Sequence, residues 1–135
     1  MATTTVNDKG DWIFLCGDTL ILSLTGLGNI TARTNLIFTI KEQTTDADAA
    51  AIVQIDENTG LLVINGAVAL VPASGTITVT NATTGAVTVK LKSDETVKVA
   101  ACNVYYWDIK ELAADDTRLK AGRCRPVSDI TREVT

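Results

Sequence analysis

The stretch "TITVTNATTGAVTVKLK", residues 76–92, decides the fold class. Ile77 and Val79 alternate with threonines, Asn81 to Gly85 interrupt, and Val87, Val89 and Leu91 resume the alternation. A period of two sends successive side chains to opposite faces of a strand, and Asn, Thr and Gly between two such runs supply a connection. The segment predicts a β-hairpin with one apolar face.

The same period extends outward in both directions. In "DTLILSLTG" (18–26), Leu20, Leu22 and Leu24 share a face predicted to be core, while Thr19, Ile21, Ser23 and Thr25 share the other. "NLIFTIKE" (35–42) puts Leu36, Phe38 and Ile40 opposite Ile37, Thr39 and Lys41. "AAAIVQI" (49–55) and "LLVIN" (61–65) flank the turn-rich "DENTG", and Asn65-Gly66 offers a tight turn into the poorer strand Ala67 to Pro72. "VYYWDIKEL" (104–112), the turn "AADD" and "TRLKAGRCRPV" (117–127) complete the series. Only "SDETVKVAA" (93–101) reads as a helical turn, with Ser93 as cap and Asp94 and Glu95 where the helix dipole favours them. Seven or more short strands separated by turns predict an all-β antiparallel sandwich, immunoglobulin-like or jelly-roll-like, with that one turn. Residues 1–10 read as an N-terminal arm, 11–127 as a single domain and 128–135 as a tail. The predicted core is Leu20, Leu22, Leu24, Phe38, Val87, Val89, and Trp107 or Tyr106.

A chain of 135 residues has room for one domain with a real core. Aromatics make up 4% of it, so Leu, Ile, Val and Ala must fill that core. Three of the six aromatics fall together at 105–107. A ligand platform would gather its rings on one exposed face, whereas Tyr106 alternates with Tyr105 and Trp107. The rings are therefore expected to pack.

Net charge of −4 and a pI near 4.7 argue against broad attraction to nucleic acid or anionic membrane. No apolar run is long enough for a spanning helix, and "MATTTVNDKG" lacks the pattern of a signal peptide, so folding in a cytoplasm is expected. Cys16, Cys102 and Cys124 are odd in number and widely spaced, which predicts small buried hydrophobes rather than a disulfide framework. The chain has no histidine. That removes the commonest general base and the Ser-His and Cys-His nucleophile pairs, and no catalytic or cofactor-binding residues are predicted. Asp46, Asp48, Asp56 and Glu57 superficially suggest calcium, but "DADAAAIVQIDE" has alanines where ligands belong, so no metal site is predicted. "GLGN" (26–29) lacks the third glycine and following helix of a dinucleotide site.

One charge feature stands out. Arg118, Lys120, Arg123 and Arg125 crowd into eight residues of an acidic protein. Alternation puts Arg118 and Lys120 on one face, with Leu119 and Ala121 opposite. A solvated face is the first reading, an acidic protein partner the second and nucleic acid a distant third. The Thr-rich start, with Thr3, Thr4 and Thr5, is a second interaction candidate, because such arms can pair with the sheet edge of a neighbour.

"GDTLILSLTG", "LIFTIKEQTTDADAA", "TITVTNATTGAVTVKLKSDET", "YYWDIK" and "LKAGRCRPVSDITRE" follow one another in an order that resembles small β-sandwich domains of tailed bacteriophages. The chain is similar in this respect to the N-terminal domain of phage baseplate upper proteins, over about residues 11–133. It departs from them at "INGAVALVPASG" (64–75). The resemblance implies a virion structural role, assembled in the host cytoplasm, with no catalytic residues to carry over. It points first to a capsid cement or decoration protein bound to the major capsid protein, as a homo-oligomer with a trimer favoured. A tail or baseplate adaptor is the alternative. A carbohydrate-binding immunoglobulin-like module, with Trp12, Tyr105 or Trp107 exposed, is a further one.

Overall fold

The computed structural model describes residues 3–100 and 103–128, and their backbone makes two packed β-sheets. The strands are β1 (Thr4–Thr5), β2 (Trp12–Cys16), β3 (Leu20–Leu24), β4 (Asn35–Lys41), β5 (Val53–Asp56) and β6 (Gly60–Ile64). They continue with β7 (Ala67–Val68), β8 (Gly75–Asn81), β9 (Ala86–Leu91), β10 (Tyr105–Leu112) and β11 (Thr117–Ser128). A four-stranded sheet runs β1-β3-β9-β8, and a seven-stranded sheet runs β2-β11-β10-β4-β5-β6-β7. The all-β sandwich is as expected.

Alternation produces the core. Leu20, Leu22 and Leu24 face inward from β3, paired across the sheet with Leu91, Val89 and Val87 of β9. Leu36, Phe38 and Ile40 face them from β4. The 76–92 hairpin forms with Ile77 opposite Val89, and Asn81 Oδ1 accepts the N–H groups of Thr83 and Thr84 to hold its turn. At the β6–β7 turn Asn65 and Gly66 both have positive φ, 50° and 77°, which suits a tight hairpin connection.

The ring question is settled by burial. Tyr105, Trp107 and Ile109 are buried, while Tyr106 is 41% exposed. Of the predicted pair, Trp107 is the core residue. It meets Trp12 edge-on at 6.1 Å and Phe38 at 6.0 Å, and Phe14 lies 5.6 Å from Trp12. Trp107 Nε1 donates to the Gly10 carbonyl at 2.7 Å. Gly122 lies against that same carbonyl, where a Cβ would collide.

Three local expectations need correction. The sandwich is not wholly antiparallel, because β1 runs parallel to β3 and β2 parallel to β11. Both are edge strands, whose direction side-chain alternation does not encode. The arm is also shorter than expected: Thr4 and Thr5 pair with Leu22 and Ser23, and Val6 packs on the core. Finally, α1 (Ser93–Thr96) begins after Lys92, with no side-chain cap. Thr96 anchors it instead, with its Oγ1 donating to the Asp18 carbonyl at 2.8 Å and accepting the Gly17 N–H at 3.0 Å. Cys124 is buried, which pushes its thiol up to about 12, and Cys16 is half-buried. Cys102 and the tail from residue 129 lie outside the described residues.

Candidate functional site: the outer face of the large sheet

Side chains on β4, β5, β10 and β11 that point away from the core form cross-strand rows. Ile37, Lys110 and Arg118 make one row. Gln54, Thr39, Asp108 and Ala121 make the next, and Lys41, Tyr106 and Arg123 a third. Ala121 is small, so the middle row is lower than its neighbours. The result is a groove of about 710 Å³ across the sheet, closed at one side by Asp48 and Thr44.

Its floor is polar where a sheet face is often apolar. Gln54 and Thr39 are both buried, with Gln54 Nε2 donating to Thr39 Oγ1 at 3.4 Å. Asp108 is half-buried beside them. Burial pushes its carboxyl above the ordinary range, and Arg118, Lys110 and Lys41 pull it partly back. Arg118 Nε lies 3.6 Å from Asp108 Oδ2. At the rim Lys41 Nζ meets Asp48 at 2.9 Å, which holds the Asp48 carboxyl below its ordinary value. Lys41, Lys110, Arg118 and Arg123 thus outnumber Asp48 and Asp108 in the groove. Such a surface offers several N–H donors and a surplus of positive charge to an anionic, extended partner.

The basic cluster is divided by a β-bulge. Ile109 pairs with Lys120 but Lys110 pairs with Arg118, so Leu119 is an extra residue in β11. The bulge corrects the simple alternation. Arg118 joins Ala121 and Arg123 in the groove, while Lys120 turns to the side that carries Gly122 and Cys124. Arg125 points outward further along β11, opposite Ile13 of β2. Arg123 also approaches Asp11, at 3.9 Å.

Thr4 and Thr5 line a second, shallower depression of about 600 Å³ with Ile13, Val104, Arg123 and Arg125. Trp12 forms part of its wall, and the buried Nε1 of Trp12 has no hydrogen-bond partner among the described residues. Thr3 is exposed and lines neither surface. The acidic residues that suggested calcium are dispersed: Asp48 holds Lys41, Asp56 accepts the N–H groups of its own turn, and Glu57 pairs with Arg33 at 2.7 Å. Among the described residues no three metal-ligating side chains converge. Trp12, Tyr105 and Trp107, the rings that a carbohydrate platform required, are all buried.

Sequence alone does not single out Lys41, Lys110 and Asp108 as site residues, and it offers Tyr106 only as a ring of the core, in place of Trp107. Nothing local announces that β4 and β10 are neighbours. No family model matches the chain, and a search of curated proteins finds no match either.

Proposed function

We propose that this chain is a structural component of a tailed-bacteriophage virion, acting first as a capsid cement protein that binds the major capsid protein between capsomers. The observation that carries the reading is the groove. Four cations ring a half-buried carboxylate on the outer face of a sheet in an acidic protein, an arrangement suited to docking an acidic protein surface. The ordered resemblance of its strands to phage β-sandwich domains supplies the biological setting, and the two-sheet fold is consistent with it. Binding is the activity proposed for the groove, because its lining offers several N–H donors and charged groups to a docked surface.

Quantitative mass spectrometry of purified virions tests the proposal. A copy number close to that of the major capsid protein is expected. A handful of copies per particle would move the protein to the tail or baseplate, and absence from the virion would overturn the proposal.

A further inference from the structure

The floor of the groove holds one group whose bonding is incomplete. Gln54 Nε2 donates to Thr39 Oγ1, and Gln54 also supports the Asp48 carboxyl at the rim. Asp108 accepts no hydrogen bond from another described residue, and Arg118 Nε stands off from it at 3.6 Å, beyond hydrogen-bond reach. A half-buried carboxylate in this position has given up water without gaining an N–H in exchange. Its oxygens remain acceptors on the wall of an open groove.

The two banks beside that floor are cationic. On one, Lys110 and Arg118 are cross-strand neighbours; on the other, Lys41 and Arg123 flank Tyr106. Lys110 makes no ion pair among the described residues, and Arg123 reaches Asp11 only at 3.9 Å. Nearby acids do not cancel this charge. Asp48 takes up Lys41 alone. Asp56, at the β5 end of the Lys110 bank, does not line the groove, and its oxygens accept from Asn35 and from its own turn. Glu42 lines a separate depression around Val104, which meets the groove at Thr44 and Tyr106.

The groove crosses β5, β4, β10 and β11. Neighbouring strands lie about 4.8 Å apart, so the floor is about 14 Å long, the span of about four residues of extended chain. A chain stretched along it sends successive side chains to opposite banks and turns the N–H groups of alternate residues toward the floor. We propose that the groove takes an extended run of acidic residues, its carboxylates on the Lys110–Arg118 and Lys41–Arg123 banks and a backbone N–H donated to Asp108. Asp108 repels a partner recognised by charge alone, whereas a peptide backbone brings the donor that it lacks. The inference rests on the reading of the groove as a dock for an acidic partner, and it narrows that partner from a charged surface to an extended peptide segment.

Nuclear magnetic resonance titration of the isolated protein tests it with three probes: an end-capped Asp-Glu-Asp-Glu peptide, the same peptide N-methylated at one amide at a time, and a tetragalacturonate of equal charge. The peptide should shift the backbone signals of Thr39, Lys41, Asp108, Lys110 and Arg118, and the tetragalacturonate should bind about tenfold more weakly or less, since it has no amide N–H to give. N-methylation at the amide that meets the floor should weaken binding about tenfold in the wild type and not in Asp108→Ala, because that variant has no acceptor to lose. The comparison with tetragalacturonate needs only the wild type, so it stands even if Asp108→Ala does not fold. Absence of groove shifts at millimolar peptide would overturn the inference. So would equal binding of the sugar acid, or an N-methylation penalty that is the same in both proteins. None of these results bears on the copy number in virions, so this inference and the virion reading can fail separately.

Discussion

Leu22 has no exposed surface, and it sits between Val89 on one side and Thr4 on the other within the four-stranded sheet. Truncating it leaves a cavity that close-packed neighbours only partly fill, so Leu22→Ala should cost about 2–5 kcal/mol. Urea unfolding of the two proteins measures this directly. Asp108 behaves in the opposite sense. Its carboxyl is pushed up mainly by burial, so folding disfavours its charged form. A carboxyl raised in the folded state contributes stability below its unfolded pKa and loses it as pH rises through the folded value. Asp108→Asn should thus melt slightly higher than wild type near pH 7, and the gain should vanish below about pH 3, where both states carry a protonated carboxyl. A lower melting temperature for Asp108→Asn at neutral pH would mean that the Arg118 contact outweighs desolvation.

At the scale of elements, period-two alternation made β3, β4, β8, β9 and β10 legible, because each has one buried and one open face. It failed where an element owes its position to another part of the chain. β1 is two threonines with no pattern to read, and only pairing with β3 makes it a strand. The bulge in β11 is equally silent, since one extra residue inverts the faces of everything before it and leaves no mark in composition. Ser93 looked like a cap because of its type, whereas buried Thr96 does the anchoring from the far end of the turn. The paired β1 changes what truncation should do. Deleting residues 1–6 removes the β1–β3 pairing and the packing of Val6, but keeps Asn7, whose Oδ1 accepts the N–H groups of Lys9 and Asp11 at 2.9 Å. The shortened protein should fold with a lower thermal midpoint. An unchanged midpoint would restore residues 1–6 to the role of a detachable arm.

For the whole molecule, the groove exists only because strands far apart in sequence lie side by side. β10 separates β4 from β11, so Lys41, Lys110 and Arg118 converge from three strands that composition could not connect. Exposed charges contribute about 0–1 kcal/mol to stability, so reversing them tests docking with little effect on the fold. Lys110→Glu combined with Arg118→Glu should slow attachment to bare capsids and flatten its salt dependence, since long-range attraction is what salt screens. The bulge supplies an internal control. Lys120 is two residues from Arg118 in sequence but lies on the other side of the strand, so Lys120→Glu should dock nearly as the wild type does. Kinetics of capsid binding at low and high salt would separate the variants. If Lys120→Glu impairs attachment as much as the Lys110–Arg118 pair, net charge rather than the groove governs docking, and the four-cation surface is a solvated face.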